Sequence, residues 1–111
     1  MKFAISSEDS IEIKRLILIL NLGITTALEQ RVLSIEDAEK LLYSPYSMEK
    51  VKQIGVNDKI VDLINLGCEL ENVERLIPDK LHKSIKEIEE ESLNMLRGMP
   101  RTADHVKKWI D

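Results

Sequence analysis

Carboxylates dominate the residues whose types and spacing could do chemistry in this chain. Glu69, Glu71, Glu74, Glu87, Glu89, Glu90 and Glu91 fall within one short stretch. Paired carboxylates can act as general acid and base, but a glycoside hydrolase needs two at a set separation in a cleft. Here they alternate with Lys80, Lys83 and Lys86 at three- and four-residue spacing. Lys83–Glu87 and Lys86–Glu90 then read as ordinary pairs on a helix surface. The functional alternative is an acidic face that mimics a phosphate backbone or covers a basic cleft. His82 and His105 are isolated from each other, and the single pair Asp79-x-x-His82 falls short of a metal site. Cys68 follows Gly67 with no base in view, so it reads as a small packed filler rather than a nucleophile. Phosphate-binding glycine loops, nucleophile elbows and EF-hand loops are all missing. The expectation is a non-enzyme with no cofactor and no metal.

The aromatic residues are Phe3, Tyr43, Tyr46 and Trp109. Two of them flank a Ser-Pro turn, Tyr43-Ser44-Pro45-Tyr46. Tyrosines on a rigid turn bring large contact area at low entropic cost, which makes Tyr43 and Tyr46 candidate interface anchors. The alternative is that they cover a helix–helix junction from outside. Trp109 is expected to pack the last helix down. The tail bases Arg97, Arg101, Lys107 and Lys108 are too few to point to direct nucleic-acid binding.

The elements that must position these residues are helices. The chain has 111 residues, 43% hydrophobic and 32% charged, with formal charge −4. That is the composition of one soluble globular domain spanning 1–111. The charge is uneven: residues 69–91 are acidic and residues 92–111 mildly basic. The longest apolar run, Leu16 to Leu20, is far short of the ~20 residues of a membrane span. No secretory signal is visible, so a cytoplasmic protein is expected. Ser34 and Ser44-Pro45 are helix starts, Pro78-Asp79 opens a long helix, and Gly55, Gly67 and Gly98 are helix ends. Helices are expected near 8–30, 35–43, 46–54, 58–66, 69–76, 79–97 and 103–110. The fold class is all-α, a single compact domain of about six or seven helices.

Two elements carry detail. In 79–97, Leu81, Ile85, Ile88, Met95 and Leu96 form one stripe interrupted by Ser92, with Glu87, Glu90, Glu91 and Asn94 on the other side. The first segment is apolar all round, which suits a central helix with Gly23 admitting a close neighbour; a buried strand at 16–20 is the alternative. Asn21-Leu22-Gly23 recurs as Asn65-Leu66-Gly67, a faint echo too slight for a repeat.

Two stretches carry a family likeness. Leu41-Leu42-Tyr43-Ser44-Pro45-Tyr46 leads into Val51 to Gly55, and Leu66 to Pro78 reads Leu-Gly-Cys-Glu-Leu-Glu-Asn-Val-Glu-Arg-Leu-Ile-Pro. Over about residues 15 to 96 the chain resembles a bacterial family of short helical proteins of bacilli and relatives, a domain of unknown function. The likeness implies the fold and transfers no activity. The Leu-Tyr-x-Pro turn is also similar to the Tyr-Tyr-Pro segment of colicin DNase immunity proteins. It departs from that segment, since Ser44-Pro45 separates the tyrosines and acids around Tyr43 are sparse. The analogy implies a binding protein that neutralises a cognate toxin, with a basic nuclease as partner. Its contact residues would be Tyr43, Tyr46, Glu69, Glu71, Glu74, Glu87, Glu90 and Glu91. The alternative is a non-catalytic adaptor.

Overall fold

A computed structural model of the protein describes residues 10–55 and 58–99. The described residues form helices in the order α1 (Ser10–Glu29), α2 (Ile35–Leu41), α3 (Pro45–Ile54), α4 (Asp58–Cys68), α5 (Leu70–Leu76), a 3-10 turn (Pro78–Lys80) and α6 (Leu81–Arg97). The all-α class holds among them. The expectation of six or seven comparable helices is corrected: four helices of ten residues or more make the body. The two seven-residue helices, α2 and α5, are two-turn connectors. Segments that short lack hydrogen bonds enough to stand alone and exist by packing. The segment expected at 103–110, with Trp109, lies outside the described residues, as does Phe3.

Local chemistry explains most boundaries. Ser34 and Asp37 form a reciprocal capping box at α2: each side chain accepts the other residue's backbone N–H at 3.0 Å. Ser44 caps α3 by accepting the Ser47 N–H at 3.2 Å, with Pro45 at the first helical position. Gly55 ends α3 in the left-handed region, φ 84°. α1 ends without a glycine. Arg31 takes the left-handed position (φ 60°), while Val32 and Arg31 donate to the carbonyls of Ala27 and Leu28. This is a Schellman closure with arginine where glycine is the usual occupant.

α1 is helical throughout, so the strand alternative falls away. It packs on α6, and the run is antiparallel: Asn21 meets Ser92 while Glu29, farther along α1, meets Lys86, earlier in α6. α4 lies against both, and α3 packs on α4. The core runs through Leu18, Ile60, Ile64, Leu70 and Ile88, each about 1% exposed. The expectation of an enclosed first helix is corrected. Ile17, Leu18, Ile24 and Leu28 are buried, but Ile19 and Leu20 are each 43% exposed. Gly23 is exposed with no neighbour within 4 Å of a Cβ position, so it admits no close approach. Among the described residues no helix is long and apolar enough to cross a membrane.

Candidate functional site

The two turn tyrosines separate completely. Tyr43 is a core residue, 1% exposed, and is corrected from its expected place at an interface. α2 unwinds before it, with the N–H groups of both Leu42 and Tyr43 bonding to the Ala38 carbonyl. The ring is thereby turned inward onto Gly67 of α4. A Cβ on Gly67 would overlap three ring atoms. Gly67 is accordingly not a helix end, since α4 continues to Cys68. Its job is to leave room for the ring. The Tyr43 hydroxyl donates to Asn21 Oδ1 at 2.5 Å, Asn21 Nδ2 donates to Ser92 Oγ at 2.7 Å, and Ser92 Oγ donates to the Ile88 carbonyl at 2.9 Å. Asn21 and Ser92 are as buried as the tyrosine. Burial pushes the Tyr43 phenol far up, with the nearby Cys68 thiol adding to it, so it stays a donor. This chain joins α1, the α2–α3 turn and α6. Its one signal in the sequence is Ser92 interrupting an apolar stripe.

Tyr46 remains on the surface. It is 72% exposed, with Lys50 Nζ 5.5 Å from its ring centroid. The first turns of α3 abut the α4–α5 junction, because Tyr43 lies on Gly67 and Cys68 Sγ reaches Met48 Sδ at 3.9 Å. This junction is acidic. Burial, then the charges of Glu69 and Glu39, push the half-buried Cys68 thiol up, leaving it protonated and a poor nucleophile. Glu39 of α2 shares a hydrogen bond with Glu71 of α5, and that contact, with burial and the charges of Glu71 and Glu36, raises its carboxyl above the usual range. Such a bond needs a proton on one of the two groups. The ion pairs among the described residues involve neither Glu39, Glu71 nor Glu69. Asn72 donates to Glu69 at 3.2 Å, and Arg75 donates to Asn72 at 2.9 Å. Glu74 is exposed on the same helix.

The α6 acids form a separate row. Glu87, Glu90 and Glu91 are all exposed, on the side of α6 away from Ile85, Ile88 and Ser92. Surface pairing is looser than its sequence spacing suggested: Lys86 joins Glu29 and Glu89, each at 3.3 Å, and not Glu90. Beside the row, an open groove of about 810 Å³ runs between α1, α4 and α6, and Glu91 borders it. His82 is exposed at the start of α6, and His105 lies outside the described residues. Among the described residues no group of three His, Cys, Asp or Glu side chains is arranged to hold a metal ion.

The geometry thus offers an acidic corner where α2 meets α5 and, on α3, an exposed tyrosine. A family model described as a protein of unknown function, DUF3969, matches residues 8–111. The chain belongs to this family. No curated protein and no solved structure matches the chain. The DUF3969 match extends the likeness expected over 15–96 in both directions and takes in the C-terminal segment. The Leu-Tyr-Ser-Pro-Tyr turn therefore lies inside the family unit, where its first tyrosine packs and its second meets solvent.

Proposed function

We propose that the protein works by binding: a cytoplasmic immunity protein that neutralises a cognate bacterial toxin by covering a basic active-site cleft, as in a nuclease. The observation that carries this reading is the α2–α5 corner, where Glu71 raises the Glu39 carboxyl and, among the described residues, no ion pair involves either. Holding a proton between two carboxylates costs stability at neutral pH, and a cationic partner would relieve that cost on binding. Glu36, Glu69 and Glu74 are exposed and extend the negative field, and the exposed Tyr46 of α3 is offered as an aromatic anchor. Tyr43 takes no part in contact and instead sets the turn from which Tyr46 projects. The α6 row of Glu87, Glu90 and Glu91 adds long-range steering.

The test is capture of the partner from native cells with a tagged copy, followed by expression of the captured protein alone. A stoichiometric basic partner, toxic alone and harmless when co-expressed, supports the reading. The double variant E39K/E71K should then bind at least tenfold more weakly with unchanged circular dichroism. Capture of a housekeeping complex, or of nothing but itself, overturns it.

One observation favours the second reading, an adaptor or self-associating module. The outer side of α1 exposes Ile19 and Leu20 beside Gly23, with no charged residue between Arg15 and Glu29. Sedimentation at rising concentration tests it, and a strict monomer counts against self-association.

A further inference from the structure

We draw no further inference here: the strongest candidate, the open apolar groove between α1, α4 and α6, is lined by Lys14 and Lys59 as well as by Asp62 and Glu91, so its charge selects no class of ligand, and nothing in the structure shows what covers it.

Discussion

At the scale of residues, the polar chain from Tyr43 through Asn21 to Ser92 holds three helical segments in one register. A buried hydrogen bond contributes modestly when made and costs more when one partner is left alone. Tyr43→Phe keeps the ring on Gly67 and strands Asn21 Oδ1. It should lower the unfolding free energy by about 1–3 kcal/mol in urea titration. Gly67→Ala drives a methyl group into the ring and should cost at least as much, about 1–3 kcal/mol or more, with loss of near-UV ellipticity. Tyr46→Ala should leave stability within about 0.5 kcal/mol, because the side chain is exposed. Under the proposed function its effect is expected in binding. The sequence distinguishes these two tyrosines poorly. Both flank one turn, and which enters the core depends on a glycine 24 positions from Tyr43 and an asparagine 22 positions before it.

At the scale of elements, the short helices depend on their ends. Ser34→Ala removes half of the capping box at α2 and should cost about 1 kcal/mol. The box also holds the Asp37 carboxyl below its usual range, chiefly through the Ser34 backbone N–H. Stability from that group is present above the unfolded carboxylate pKa and lost as acid protonates it. Glu39 has the opposite sign. Its folded pKa is raised, so the fold disfavours its charged form. The penalty is absent below the unfolded pKa and sets in as pH rises through the folded value. Glu39→Gln should therefore raise Tm at neutral pH and leave it unchanged near about pH 4. Thermal melts across that range check both the sign and the window. A fall in Tm at neutral pH would mean that the Glu39–Glu71 contact stabilises the α2–α5 junction.

At the scale of the whole molecule, the proposed binding role predicts that net charge −4 and the acidic corner act on encounter more than on final affinity. Binding to a basic partner should slow about tenfold or more between low and high salt, with dissociation little changed. Stopped-flow association at two ionic strengths reads this. A salt-independent association rate would move the interface to the apolar outer side of α1. The helices themselves were legible from the residues, because apolar period, serine caps and Gly55 act within one or two turns of the chain. The exposed state of Glu69, Glu71, Glu74, Glu87, Glu90 and Glu91 was legible for the same reason, as each lies off its helix's apolar stripe. Tertiary structure alone decided that Tyr43 is core, that Gly67 is a seat rather than a helix end, and that α1 keeps one side open. It also brought Glu39 to Glu71. Those outcomes rest on contacts between residues 22 to 71 positions apart, where burial and close packing act and local periodicity carries no information.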